Sequence, residues 1–289
     1  MRRGIRVSVP SRRRERAKHL IVLPTVDVVE ADIRAAGTLE SLLRGCDAVV
    51  NLVGTFTERD FDRVHAELPA KIASACRASG VRRFLHVSAL GAAEDAPSAY
   101  QRSKARGEQA ALGAEGVDAT VFRPSVVFGP DDHFLNLFAH MQQMAPVVPL
   151  ACAHARFQPV FVQDVVQAYL NAMVNPATIG HGYELGGPRV YTLEELVRFA
   201  GRASGHPRPV IALPDALARV QATIMEHMPG EPMLSRDNLD SMQLDNVLEH
   251  PVAPELNLHP VSLESVMTDA LAGRNRDTAM THMRASVHR

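Results

Sequence analysis

Alternation of apolar and polar positions organises the first half of this 289-residue chain. Ile5, Val7 and Val9 alternate with Arg6 and Ser8 and stop at Pro10, the period-two pattern of a strand. Val26–Glu30, Phe84–Ser88 and Ala119–Arg123 read as further strands. The near-continuous apolar run Ala48–Val53 suits a strand buried on both faces, with Asn51 its one polar interruption. Helical patterns fall between most of them, at Thr38–Leu43, Phe61–Ser79 and Ser98–Leu112. Strands alternating with helices predict right-handed crossovers and a covered parallel sheet, hence an α/β, Rossmann-like doubly wound domain over residues 1–124. After Pro124 the rhythm loosens, and Pro146, Pro149, Pro159 and Pro176 punctuate the chain. Two more strands are predicted at Phe157–Val162 and Tyr183–Leu185. Thr192-Leu-Glu-Glu195 is a capping box opening a helix to Ala203. Leu213, Leu217, Val220, Ile224 and Met228 mark an amphipathic helix. These elements predict a smaller C-terminal α/β substrate or partner region over residues 125–272, then a polar, disordered tail over 273–289.

The candidate chemistry sits at a sheet edge. Tyr100 and Lys104, four apart on a predicted helix, share one face, and Ser88 ends a strand twelve positions upstream. A tyrosine hydroxyl titrates near ~10, too high for a base at neutral pH, and a neighbouring ammonium favours the phenolate. A serine can hold a substrate oxygen against it. Open α/β sheets bind ligands at the carboxyl ends of their strands, where all three residues fall. Together they point to hydride transfer.

Charge bears on the cofactor. The first strand is followed by Ser11, Arg12 and Arg13, with no acid before Glu15. Guanidinium groups suit a 2′-phosphate, so NADP(H) is favoured over NAD(H). Eight basic side chains against one acid in the first twenty residues make too short and local a patch for nucleic acid. The net charge of −1 hides this asymmetry.

Composition excludes more than it assigns. With 46% hydrophobic and 22% charged residues the chain is ordinary for a globular protein. Cys46, Cys76 and Cys152 form no C-x-x-C pair, which fits reduced thiols in a cytoplasmic compartment. No apolar run reaches membrane-spanning length. Thirteen histidines include no H-E-x-x-H and no Cys/His cluster, so no metal site is expected, and Ser88 is not in a G-x-S-x-G turn.

Segments in order along most of the chain carry a resemblance. Ser11-Arg-Arg-Arg-Glu-Arg, Val29-Glu-Ala-Asp32, Asp47-Ala-Val-Val-Asn-Leu-Val-Gly54 and His86-Val-Ser-Ala-Leu-Gly91 come first. Tyr100-Gln-Arg-Ser-Lys-Ala-Arg-Gly-Glu108, Phe122-Arg-Pro-Ser-Val-Val-Phe-Gly129 and Phe157-Gln-Pro-Val-Phe-Val-Gln-Asp164 follow. Tyr183-Glu-Leu-Gly-Gly-Pro188 and Pro232-Met-Leu-Ser-Arg-Asp-Asn238 complete the set. The chain resembles extended or atypical short-chain dehydrogenases/reductases, NAD-dependent epimerase/dehydratase-like proteins. Within them it is similar to the branch holding the nucleotide-binding accessory subunit of respiratory complex I. The resemblance implies that Asp32 sits by the adenine, that Asn51 to Gly54 pass the cofactor ribose, and that Arg123, Pro124 and Ser125 close over the nicotinamide. A lone acid specifies little, and Asp32 fits a solvated loop equally.

Only Gly4, Gly37 and Gly45 occur in the first 45 residues, so the glycine-rich phosphate loop is not there. The chain reads as beginning at the second strand, which predicts unpaired edges mid-sheet and suggests a start assigned too late or a gene fragment. Two function classes remain open. One is an NAD(P)-dependent oxidoreductase or epimerase using Ser88, Tyr100 and Lys104. The other is a non-catalytic NADP(H)-binding accessory or sensing module that meets a protein partner through the Met-rich segment Ile224–Met242. An ordinary core helix fits that segment equally.

Overall fold

The computed structural model of the protein describes residues 4–227 and 234–273. Expectations for the tail and for the middle of the Met-rich segment lie outside these residues. Two parallel sheets carry the first half. Strands β1 (Val7–Ser11) and β2 (Val26–Glu30) pair with Val9 opposite Val28. Strands β3 (Ala48–Asn51), β4 (Arg83–Val87), β5 (Asp118–Pro124) and β6 (Gly182–Leu185) form an all-parallel sheet in the order β6-β5-β4-β3. The expected mid-sheet break is present: among the described residues, β1 pairs only with β2 and β3 only with β4. One consequence corrects the prediction for Ala48–Val53. The strand ends at Asn51, and Val50 and Leu52 are 40% and 64% exposed, so this run is not buried on both faces.

Alternation along the four-stranded sheet sends successive side chains to opposite faces. Phe84 and Val121 enter one cluster with Leu68, Ile72 and Cys76. Leu85 and Phe122 enter another with Tyr169, Tyr183 and Leu185. Helices α1 (Thr38–Leu43) and α2 (Leu68–Ser79) cover the first face. Helix α2 has proline in its first turn and stops at Gly80, which adopts the left-handed φ of 74°. The helix expected from Phe61 opens differently, with a π-helical turn over Asp62–Glu67 before α2. That turn rotates His65 inward to 1% exposure. Helix α3 (Ala99–Leu112) begins where Ser98 accepts a hydrogen bond from the Gln101 amide.

Close approach of α3 to the π turn depends on Gly107. A Cβ there would lie 2.0 Å from the His65 carbonyl oxygen and 3.3 Å from His86 Nε2. Backbone cannot yield as a side-chain tip does, so Gly107→Ala is expected to cost about 2–3 kcal/mol in urea unfolding. A loss below about 0.5 kcal/mol would show that helix and turn part freely.

The C-terminal region holds its own core of Phe128, Leu135, Val148, Leu196, Leu263 and Met267. The capping box at Thr192 and Glu195 is formed in both directions and opens the helix Leu193–Ala203. The strand expected over Phe157–Val162 is two short ones instead. Arg156–Phe157 pairs antiparallel with Tyr191–Thr192, and Val160–Phe161 pairs parallel with Val127–Phe128. Pro159 between them cannot donate to a ladder. The helix Asp215–Glu226 corrects the amphipathic phase: Ala218 and Ala222 are buried, while Leu217, Val220 and Ile224 are more than half exposed.

Candidate functional site

Strand β4 delivers His86 and Ser88 to the carboxyl edge of the sheet. Ser88 is 3% exposed; its amide donates to the Phe122 carbonyl at 2.7 Å, while its hydroxyl has no partner. Helix α3 brings Lys104 beside it. The Lys104 ammonium donates to the Val87 carbonyl at 3.4 Å and lies 5.7 Å from the centre of the Tyr100 ring. Burial pushes this lysine down to about 8, with Glu108 opposing.

Tyr100 stands in an aromatic enclosure. Phe56 stacks on it at 5.5 Å, and Phe61 and His65 meet it edge-on at 5.8 and 5.4 Å. Burial pushes the phenol up to about 12, and the Asp237 carboxylate adds to the rise. The sequence argument expected a lysine-lowered phenol. In the structure burial and the Asp237 carboxylate raise it instead.

Two histidines fix the turn after β3. Asn51 Oδ1 accepts the Val53 amide at 3.1 Å, so its NH2 faces His86 Nδ1 at 3.1 Å and donates to it. The His86 proton therefore sits on Nε2, which has no partner. His65 Nε2 accepts the Thr55 amide at 3.1 Å, leaving the proton on Nδ1. That proton goes to Ser103 Oγ at 2.9 Å, whose own proton goes to the Tyr100 carbonyl at 2.7 Å. Both imidazoles are neutral, and burial pushes each down to about 3, with the Lys104 charge adding. The turn they hold puts Gly54 where a Cβ would be 3.8 Å from Lys104 Nζ.

At the other sheet, Arg12 and Arg13 follow β1 and Asp32 follows β2. Arg34 grips the Asp32 carboxylate with Nε and Nη2, each at 2.8 Å. Those bonds, with a smaller contribution from Arg12, hold Asp32 down at about 2. The three remaining predicted residues are spent on protein contacts. Arg123 forks onto Glu108, with Nε at 2.9 Å and Nη2 at 2.5 Å. The Pro124 carbonyl takes the Leu90 amide, and Ser125 Oγ donates to Asn246 Oδ1 at 2.5 Å. The structure thus brings Asn51, Gly54, Ser88, Tyr100 and Lys104 together and groups Arg12, Arg13 and Asp32 separately.

The model of the NAD dependent epimerase/dehydratase family matches residues 1–186. The chain belongs to this family. A Rattus norvegicus protein, NADH dehydrogenase (ubiquinone) 1 alpha subcomplex subunit 9, mitochondrial, is 31% identical over 243 residues. The match covers 82% of this chain and 64% of the relative, so the chain spans less than two thirds of that relative's length. A ceramide reductase of Caulobacter vibrioides is 33% identical over 196 residues, 66% of this chain and 60% of the relative. Among solved structures, the UDP-glucose 4-epimerase of Thermotoga maritima superposes with a TM-score of 0.69 at 18% identity. That match covers 96% of this chain and 93% of the epimerase, and it shows the shared fold.

The family binds NAD(P) dinucleotides. The residues around Ser88 fit such a group: its buried hydroxyl lacks a partner, and Gly54 leaves the approach to Lys104 open. Among the described residues no cluster of metal ligands occurs, and no helix is long and apolar enough to cross a membrane.

His65 was not singled out from sequence, and His86 and Asp237 entered only inside segments that carry the resemblance, with no role given to either. A lone histidine or aspartate has no spacing that betrays it, and the π turn that aims His65 inward is invisible to helical periodicity. The two histidines have a measurable signature. Because their folded values lie below the ordinary 6.5, the unfolded chain binds more protons between about pH 6.5 and 3. Stability therefore falls on acidification through that window, by about 1.4 kcal/mol per pH unit for each histidine. Urea unfolding of His65→Phe between about pH 6 and 4.5 is expected to show a slope shallower by about one proton. An unchanged slope would mean that His65 is not held neutral.

Proposed function

We propose that the chain is a nicotinamide dinucleotide-dependent oxidoreductase or epimerase acting on a carbonyl or alcohol carbon, with NADP(H) preferred over NAD(H). The observation that carries this is the buried, unpartnered Ser88 hydroxyl beside Lys104 and the Tyr100 helix. Ser88 would anchor the substrate oxygen, and Gly54 and Asn51 would pass the ribose. Arg12 and Arg13 support the NADP(H) preference, because they follow β1 with no acid between them and the strand. Arg123, Pro124 and Ser125 would act from the far wall as backbone, their polar groups being already engaged.

When bound, the nicotinamide supplies or takes up the hydride. In the reductive direction Tyr100 would give its proton to the substrate oxygen that Ser88 holds. The phenolate left behind is stabilised by the Lys104 ammonium and regains its proton from solvent. The phenol, raised by burial to about 12, carries the proton that this step transfers.

A second reading is a non-catalytic accessory module, as the name of the rat relative suggests. The exposed stripe Leu217, Val220 and Ile224 supports it, because apolar side chains at helical spacing suit a partner surface. A cytoplasmic location belongs to the proposal as well, supported by three free thiols, although the named rat relative is mitochondrial. The test is fluorescence titration with NADPH and NADH, followed by cofactor oxidation against a panel of aldehydes and ketones. NADPH binding with turnover supports the enzyme; binding without turnover supports the module. Binding of neither cofactor sinks both.

A further inference from the structure

The helix that carries Tyr100 and Lys104 is fastened from far along the chain. Its first amides need acceptors that no helix provides for itself. Ser98 Oγ takes the Gln101 amide at 3.1 Å, and the Ser98 carbonyl takes the Arg102 amide at 3.2 Å. The other two go to Asp237: the Ala99 amide reaches Oδ1 at 2.6 Å, and the Tyr100 amide reaches Oδ2 at 3.2 Å. Asp237 lies in the first turn of the short helix Arg236–Ser241, itself opened by a capping box between Ser235 and Asn238. That helix is tied to Asp215–Glu226 by Arg236 on Glu226 and Arg219 on Asp240. A carboxylate straddling two helical amides is both a strong acceptor and a charge matched to the positive end of the helix.

We infer that Asp237 is the positioning residue of the Tyr100 site: its carboxylate, delivered by the C-terminal region, takes the Ala99 and Tyr100 amides and so sets the first turn of α3 and the place of the tyrosine. The groups facing the tyrosine are Lys104 from its own helix, the neutral His65 from the π turn, and Asp237. Lys104 favours release of the phenolic proton; Asp237 opposes release. Burial is the larger obstacle to release of that proton, and the Asp237 carboxylate, which comes from the C-terminal region, adds to it. Docking of that region is thereby a condition for a competent site. The inference takes Tyr100 as the proton donor of the proposed reaction, but its test needs no substrate.

Protein labelled with 13Cζ-tyrosine is titrated by NMR, with Tyr100→Phe identifying the Tyr100 resonance. Asp237→Asn is expected to lower the Tyr100 midpoint by about one pH unit, since a like charge no longer disfavours the phenolate. It should also speed hydrogen exchange at the Ala99 and Tyr100 amides by about tenfold, the worth of one weakened charged hydrogen bond. Ser98→Ala should do the reverse, speeding exchange at Gln101 without moving the midpoint. Asp237→Glu, which restores the charge, should return the midpoint to the wild-type value. An unmoved midpoint in Asp237→Asn, or an equal shift in Ser98→Ala, would overturn the inference, the second by showing that fraying of the helix suffices. Should Asp237→Asn fail to fold, Asp237→Glu decides: a lowered midpoint there would exclude the carboxylate as its cause. Loss of turnover plays no part in these readouts, so the inference and the proposed activity fail separately.

Discussion

Tyr100→Phe is expected to cut hydride transfer by about 10²–10⁴-fold while leaving NADPH affinity within about twofold. The phenylalanine ring keeps the stack with Phe56 and the edge contacts with Phe61 and His65, so the enclosure stays filled. What disappears is the hydroxyl alone. It makes little difference to the resting protein and a large one to a transition state in which a substrate oxygen acquires charge. The size of the drop follows from the usual worth of a positioned general acid. Cofactor oxidation and cofactor binding, measured on the same preparations, separate the outcomes. Turnover surviving in the variant would remove Tyr100 as proton donor. Tight binding with no turnover in either protein would favour the accessory reading.

Much of this site was legible because its signals are local. Tyr100 and Lys104 are one helical turn apart behind a serine N-cap, and Ser88 ends a strand whose apolar pattern is plain. Both facts survive any rearrangement of the rest of the chain. The break between β1 and β3 was legible too, because Gly4, Gly37 and Gly45, the glycines of the first 45 residues, form no glycine-rich turn that would mark a strand between them. Other features depend on partners that periodicity does not name. The helix Asp215–Glu226 shows a convincing apolar stripe, yet it is the alanines on its other side that pack, against Ala151 and Leu239. Small residues let helices approach closely and leave the larger apolar side chains outside. For Ala48–Val53, a run of apolar residues told composition but not coverage. Asp237 meets Tyr100 across 137 positions, a pairing that only the folded C-terminal region creates. The sign of the effect on Tyr100 was likewise out of reach, since spacing shows the lysine but not the depth at which the phenol is held.

Arg123 offers the largest expected effect on stability. The resemblance suggests a place near the nicotinamide, but its guanidinium forks onto Glu108, whose side chain is 5% exposed against 33% for the arginine. That asymmetry decides what each substitution costs. Arg123→Met strips the partner from a carboxylate that cannot reach water, and a buried charge left unpaired costs about 3–5 kcal/mol. Water reaches part of the pair, so the lower end, about 3 kcal/mol, is expected. Glu108→Gln leaves the arginine instead, and Arg123 keeps solvent on one side and the charges of Glu184 and Glu249 nearby. Its loss should be about 1 kcal/mol, the worth of weakened hydrogen bonds rather than of a stranded charge. Arg123→Lys should fall between them, because an ammonium keeps the charge but not the two-pronged geometry. Urea unfolding of the three variants gives the order directly. Equal losses in Arg123→Met and Glu108→Gln would mean that solvent reaches Glu108 as freely as Arg123. The pair would then be an ordinary surface contact, and Arg123 would be free to turn toward a bound dinucleotide.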